Sequence, residues 1–331
     1  MTGGSSPRTI AHRPGPVARP VLACVAAVAC ALALATAACA QPGAAPRTDD
    51  CPYARYPAAV PTAALGEADP ALPWFHAAGS LALADPGPDA FRNADDVASP
   101  RVVRPGTAAV DTAAYRAFRR RVMPLLERWG AEPRLGINPA LVAALLVKES
   151  GLDPRAVSSQ AALGYAQITF HADSDMRVIT RADSLTGWMC PEVRGWRRDA
   201  RFHAAPAPAD SVRAWVARGE LRPATEYLLD PRVAARAAAI WLRLLEATWT
   251  APEWPGMYAD SARQKLNHGA PLTEQQLLDV VVASYNAGYP EVWALVSRHG
   301  GDWKSHLSPE TRDYVERIRH YTVLLQRRRT R

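Results

Sequence analysis

The strongest constraint on the fold of this chain is an apolar helical segment that ends abruptly at a glutamate. Residues 139–149 read Pro-Ala-Leu-Val-Ala-Ala-Leu-Leu-Val-Lys-Glu, and Ser-Gly-Leu-Asp-Pro follows at once. Because Gly151 and Pro154 do not continue a helix, the helix must end beside Glu149. The sequence therefore predicts a carboxyl group at the C-terminus of an apolar helix, in a cleft.

The position of Glu149 predicts a carboxyl group that stays protonated near neutral pH. Apolar neighbours disfavour the anion, and the negative end of the helix dipole repels it, so both effects raise the pKa. A carboxyl that is protonated near neutral pH can act as a general acid. A glutamate at a helix end can also be an ordinary solvent-exposed residue. The residues that flank Glu149 are therefore needed to distinguish the two roles.

The chain from Thr112 onward has the pattern of a helical domain. Apolar and aromatic residues recur at helical spacing from Tyr115 to Trp129, and Gly130 ends that segment. Asn138 suits the N-cap of the next helix. Further helical stretches are predicted at about 231–248, 273–286, 290–298 and 309–326. Clear strand patterns are hard to find, so we expect a predominantly α-helical domain over 112–331.

A motif of defined spacing begins at the glutamate. Residues 149–168 contain Glu-Ser, then a Pro, then a Ser, then Ala-x-Gly-x-x-Gln. This pattern resembles the first motif of the soluble lytic transglycosylase (SLT) domain, which ends Gly-Ala-x-Gly-Leu-Met-Gln. The positions in register are Glu149, Ser150, Pro154, Ser158, Ala162, Gly164 and Gln167. The chain departs from the family pattern at Ala161, which replaces a Gly, at Tyr165, which replaces a Leu, and at Ala166, which replaces a Met.

Three more blocks follow in the order in which the SLT family has them. Residues 229–242 resemble its Asp-Pro helix, 284–288 (Ser-Tyr-Asn-Ala-Gly) its Ala-Tyr-Asn-Ala-Gly motif, and 309–315 (Pro-Glu-Thr-Arg-Asp-Tyr-Val) its Glu-Thr-Arg-x-Tyr-Val motif. The resemblance implies a lysozyme-like fold for the domain. The blocks lie farther apart than a compact family member needs, which predicts insertions at about 173–225 and 250–271.

The resemblance implies functional roles for six residues of this chain. These are Glu149 as the catalytic acid, Ser158 and Gln167 along the glycan groove, and Tyr285, Asn286 and Tyr314 in the substrate-binding site. The residue types also permit structural roles. Small polar residues suit turns and caps, and tyrosines suit a half-buried core in which the hydroxyl finds a backbone partner.

The implied reaction uses one carboxyl group. A glycosidase of the usual kind needs two, but the only other acidic residue in the motif is Asp153, which belongs to the helix breaker. The resemblance implies a substrate-assisted cleavage of peptidoglycan glycan strands, at the β-1,4 bond between N-acetylmuramic acid and N-acetylglucosamine. Glu149 protonates the bond and then deprotonates the muramoyl C6 hydroxyl, which forms a 1,6-anhydro ring. No cofactor and no metal are expected.

Two alternatives remain open at this stage. A hydrolase of the goose-type lysozyme kind shares the fold and the acid but adds aspartates after the motif, where this chain has Asp173 and Asp175 a little late. A protein that binds peptidoglycan without cleaving it would keep the fold and lose turnover. The intact Glu149 argues against the second alternative.

The N-terminus has the features of an export signal. Residues 1–20 are polar with three arginines, and 21–38 form an uninterrupted run of small and apolar residues before Cys39. We expect a signal peptide over 1–38 and a location in the cell envelope. Small residues before a cysteine resemble a lipobox, which implies a lipid on Cys39 and a membrane anchor. Ordinary cleavage near Ala40 stays open, as does a retained anchor.

The segment 39–111 is rich in Pro, Ala and Asp, which predicts an irregular arm or linker. Two cysteines besides Cys39 remain after the leader, and in an oxidising compartment Cys51 and Cys190 are expected to form a disulfide. Two unrelated thiols are the alternative. The net charge of +7 suits an anionic partner, but the abundance of arginine can be compositional bias, so it does not identify one. Nucleic acid is not an expected partner.

Overall fold

The computed structural model describes residues 74–76, 82–91, 110–132, 135–181, 193, 195–250 and 259–326. The leader, Cys39, Cys51 and Cys190 lie outside the described residues, so the cleavage, lipidation and disulfide predictions stay predictions. No helix within the described ranges is both long and apolar enough to span a membrane.

The described residues form ten α-helices, which confirms the predicted α-helical class. In chain order they are α1 Thr112–Arg121, α2 Met123–Gly130, α3 Pro139–Ser150, α4 Phe170–Arg181, α5 Ala209–Ala217, α6 Pro231–Thr250, α7 Ala259–Asn267, α8 Glu274–Ala287, α9 Tyr289–His299 and α10 Pro309–Leu325. Short 3₁₀ turns occur at Pro88–Phe91, Ala200–Phe202, Tyr227–Leu229 and Gly300–His306.

Helix α3 lies at the centre of the domain. Every side chain from Pro139 to Val147 is buried, and the helix packs against α10, α2 and α6. The side chain of Asn138 caps its start by accepting a hydrogen bond from the backbone N–H of Ala140 at 2.9 Å. Its end is the predicted stop, because Gly151 adopts a left-handed conformation with φ of 59° and donates to the carbonyl of Val147.

The sequence pattern misses some boundaries and some helices. The segment from Tyr115 to Trp129 forms two helices because Pro124, near the start of α2, has no N–H to donate and excludes a continuous helix. Helices α4, α5 and α7 carry many charged or small residues, so their helical period is weak in the sequence. They lie within or beside the predicted insertions.

The described parts of segment 39–111 are packed into the domain. Phe75 is fully buried, and its carbonyl accepts a hydrogen bond from the backbone N–H of Asn138 at 2.8 Å. Leu83 is also buried and forms an isolated bridge with Gln326. The hydrophobic core therefore includes residues before Thr112, whereas a loose linker would leave such residues exposed.

The described residues between 193 and 230, here called the 193–230 segment, are fastened to the domain by buried charges. Asp173 of α4 accepts a hydrogen bond from the hydroxyl of Tyr227 at 2.6 Å and forms an ion pair with Arg198 at 3.2 Å. Arg198 also pairs with the buried Glu226 at 2.8 Å. Buried charges are tolerated only when they are paired in this way. Apolar residues of the segment join the same hydrophobic core, among them Val193, Phe202, Val212, Val216 and Leu221.

Gly164 links the motif loop to this segment. The residue has a φ of +67°, and a Cβ atom added there would collide with the carbonyl oxygen of Leu228. We expect Gly164→Ala to lower the free energy of unfolding by roughly 3 kcal/mol, the sum of backbone strain and overpacking. Gly219→Ala is the matched control, because Gly219 has a φ of +71° with nothing within 4 Å of its added Cβ. It should cost only about 1 kcal/mol in chemical denaturation. Equal losses of unfolding free energy in the two variants would contradict the close contact between Gly164 and Leu228.

Candidate active site

Glu149 lies in the last turn of α3, where it meets a tyrosine from α10. The hydroxyl of Tyr314 donates a hydrogen bond to Oε1 of Glu149 across a sequence separation of 165 residues. Tyr314 is buried, whereas Glu149 is partly buried. Helices α3 and α10 pack together, so the two side chains are held by the core of the domain and not by a loop.

A second tyrosine fixes the loop that follows the acid. Tyr285 of α8 donates its hydroxyl hydrogen to the backbone carbonyl of Ala166 at 2.7 Å. Ala166 itself is fully buried, so the residue that replaces the family's Met belongs to the core. Burial, and after it the negative charge of Glu149, raises the pKa of Tyr285 well above its usual value.

Burial controls the electrostatics of the site. Desolvation raises the pKa of Glu149 to about 7, while the hydrogen bond from Tyr314 and the charge of Lys148 act in the opposite direction. Burial, followed by the charge of Glu149, raises the pKa of both Tyr285 and Tyr314 well above the usual tyrosine value. Both phenols therefore stay protonated, and Glu149 can carry a proton near neutral pH as the sequence predicts.

Ser158 and Gln167 shape the loop between the acid and α4. The hydroxyl of Ser158 accepts hydrogen bonds from the backbone N–H groups of Gln160 and Ala162, both at 3.1 Å. The amide of Gln167 donates to the carbonyls of Ala156 and Gly164 at 3.2 and 2.8 Å. These are structural contacts, and the prediction that the two residues also line the glycan groove stays a prediction.

Asn286 connects two of the helices that form the site. Its side-chain oxygen accepts a hydrogen bond from the hydroxyl of Thr311 at 2.8 Å, which ties the end of α8 to the start of α10. The residue is exposed, so it remains available to a substrate. Its predicted contact with the glycan stays a prediction.

The motif departures have local physical consequences. Ala161 occupies a left-handed conformation with φ of 58°, which explains why glycine suits this position. Tyr165 is buried and packs edge-on against Phe118 of α1, with ring centroids 6.4 Å apart. Asp153 accepts a hydrogen bond from the backbone N–H of Arg155 at 2.8 Å, as expected for a turn residue.

The sequence pattern did not predict the ion pairs next to Glu149. Lys148 lies 3.4 Å from Asp313, and Arg317 binds both carboxylate oxygens of Asp313 at 2.7 Å. Their positions in the sequence could have indicated these ion pairs, because Lys148 immediately precedes Glu149 and Asp313 immediately precedes Tyr314. Among the described residues, no group of three or more His, Cys, Asp or Glu side chains is arranged to hold a metal ion.

The 193–230 segment contacts the motif loop directly. Arg213 of α5 donates to the carbonyl of Ser158 at 3.1 Å, and Arg155 of the loop donates to the carbonyl of Val216 at 2.8 Å. One hydrogen bond is thus donated by α5 to the loop and the other by the loop to α5. The segment therefore borders the loop that carries Ser158.

Comparison with known families agrees with this geometry. Residues 130–186 match the family model described as the transglycosylase SLT domain, and this range contains Glu149, Ser158 and Gln167. No curated protein matches the chain. The matched residues and the α-helical class support the resemblance to the lysozyme-like SLT family that the sequence motifs indicate. Domains of this family are generally lytic transglycosylases acting on peptidoglycan.

The raised pKa of Glu149 makes stability depend on pH in a defined direction. The pKa of Glu149 rises from its ordinary value of 4.5 to about 7 in the folded protein. Between these two pH values the unfolded chain releases a proton that the folded protein keeps. Wild-type stability should fall, relative to Glu149→Gln, as pH rises from 4.5 to 7. The difference should grow by about 1.4 kcal/mol per pH unit and reach roughly 3 kcal/mol. Urea denaturation across this range measures it. A difference that does not vary with pH would contradict the burial of this carboxyl.

Proposed function

We propose that this protein is a peptidoglycan lytic transglycosylase with Glu149 as its single acid and base. It cleaves the β-1,4 bond between N-acetylmuramic acid and N-acetylglucosamine and leaves 1,6-anhydromuramoyl ends. The observation that carries the proposal is a carboxyl with a pKa of about 7 at the end of α3, beside a phenol that donates to it.

The first step is proton donation to the leaving oxygen. Tyr314 donates to Oε1 of Glu149, which leaves Oε2 to carry the proton toward the glycosidic oxygen. The bond between muramoyl C1 and that oxygen breaks, and the proton of Glu149 goes to the leaving sugar. The hydrogen bond from Tyr314 also stabilises the carboxylate that this step forms, because the phenol itself keeps its proton.

The second step returns the proton to Glu149. The N-acetyl group of the muramoyl residue stabilises the positive charge that develops at C1, as the family resemblance implies. The carboxylate of Glu149 then takes the proton of the C6 hydroxyl, and the C6 oxygen bonds to C1 to close the anhydro ring. The enzyme ends protonated as it began, so the cycle needs no water.

The described carboxylates near the motif favour this route over hydrolysis. Asp173 is buried and engaged by Tyr227 and Arg198, and both oxygens of Asp313 are engaged by Arg317. Asp173 is therefore not free to activate water, and Asp313 already forms ion pairs with Arg317 and Lys148. Asp175, whose pKa burial raises to about 6, is the residue on which the alternative of a goose-type-lysozyme-like muramidase depends.

Mass spectrometry of the products from purified peptidoglycan tests the proposal. We expect anhydromuropeptides, which are lighter by one water than the reducing ends that a hydrolase makes. Glu149→Gln should reduce their release on the order of a hundred- to ten-thousand-fold, because the amide keeps the shape but cannot donate the proton. Asp175→Asn is the matched control and should keep the anhydro products.

Other outcomes identify the alternatives. Reducing ends that disappear in Asp175→Asn would establish a muramidase. Binding to peptidoglycan without any cleavage by the wild-type protein would establish a non-catalytic binding role.

The sequence supports a matching location. We propose export through the leader 1–38 into the cell envelope, where peptidoglycan lies, with a lipid on Cys39 as membrane anchor and a disulfide between Cys51 and Cys190. Mass measurement of the mature protein, with and without reduction, tests all three features.

A further inference from the structure

Two adjacent residue pairs connect α3 and α10 at the active site. Glu149 receives the hydrogen bond of Tyr314, and one residue earlier in each helix Lys148 faces Asp313 at 3.4 Å. The ammonium group of Lys148 also lies over the ring of Tyr314, 6.0 Å from its centroid. A cation is therefore held next to the phenol that binds the carboxyl group of Glu149, and the proposed function requires this carboxyl group to stay protonated.

A cation in this place opposes the proposed reaction. A nearby positive charge favours the carboxylate, and Lys148 is one of the groups that lower the pKa of Glu149. The lysine ammonium is carried by a flexible four-carbon chain, so it could turn onto Glu149 if nothing held it. An ion pair between the two would keep the acid unprotonated.

Asp313 is placed to prevent an ion pair between Lys148 and Glu149, because it binds Lys148 itself. Arg317, one helical turn later, donates from Nε to both oxygens of Asp313 at 2.7 Å and so fixes the carboxylate. Lys148 is mostly buried, with 15% of its side chain exposed, whereas 45% of Asp313 is exposed. The ion pair thus holds the ammonium group of Lys148 at a carboxylate that is more exposed than the lysine itself.

We propose that Asp313 is a positioning residue that holds Lys148 away from Glu149 and so keeps the acid protonated in the free enzyme. The inference rests on the proposed function, in which Glu149 must begin as an acid. Among the described residues, the groups facing Glu149 are the two neutral phenols of Tyr285 and Tyr314, and the charge of Lys148. Lys148 is the one cation of this set, and Asp313 is its ion-pair partner.

The direct test measures the protonation of Glu149 without turnover. The protein is labelled with ¹³C at glutamate side-chain carboxyls, and Glu149→Gln identifies the resonance that titrates at the site. We expect Asp313→Asn to lower the pKa of Glu149 by on the order of one unit, because Lys148 is released toward it. Low ionic strength is used because salt screens a pair that is partly exposed.

Two further variants separate this effect from a structural one. Lys148→Met combined with Asp313→Asn should return the pKa of Glu149 to the wild-type value or above it, because the released cation is gone. Asp302→Asn removes an equal charge from an exposed side chain outside the site and should leave the resonance unchanged. No shift in Asp313→Asn, or the same downward shift in the double variant, would overturn the proposal.

Turnover gives the second readout. If the pKa of Glu149 falls by about one unit from 7, the protonated fraction at pH 7 falls about fivefold. Release of anhydromuropeptides by Asp313→Asn should fall by that factor at pH 7, recover at pH 5, and recover at pH 7 in the double variant. Equal loss at both pH values would also overturn the proposal. If the wild-type protein releases no anhydro product, the proposed function fails, whereas the NMR titration still decides the role of Asp313.

Discussion

The hydrogen bond between Tyr314 and Glu149 is the contact on which the candidate active site depends. It joins side chains from two helices that pack together in one core. Burial disfavours the charged carboxylate, and the phenol offers that carboxylate one strong donor. The balance raises the pKa of Glu149 to about 7, where a carboxyl can both give and accept a proton in one catalytic cycle.

The rest of the domain holds the loop beside that pair. Tyr285 binds the carbonyl of Ala166, and the side chain of Gln167 closes the loop on itself. On its other side the loop meets the 193–230 segment, where Gly164 allows the backbone of Leu228 to approach. A buried network around Asp173 fastens that segment. Asp173, which follows the motif in the sequence, is thus part of the framework of the domain.

Much of the fold could be predicted because its signals are local. The cap at Asn138, the stop at Gly151 and the apolar content of residues 139–147 are properties of neighbouring residues, and the structure has all three. Helices α4 and α5 were missed because charged and small residues weaken their helical period, and the buried face of α4 includes Asp173. Asp173 looks solvent-exposed by type, yet it is buried because Arg198 and Tyr227 reach it from a distant part of the chain.

The sequence by itself determined the helical class, the acid at the end of α3 and the motif that matches the SLT family. These depend on residue types at short spacing, which a linear pattern records. Only the tertiary structure decided that Tyr314 would donate to Glu149 and that Asp313 would face Lys148. Both contacts join residues from separate helices. They exist because α3 and α10 pack in one particular register, and that register is a property of the whole core.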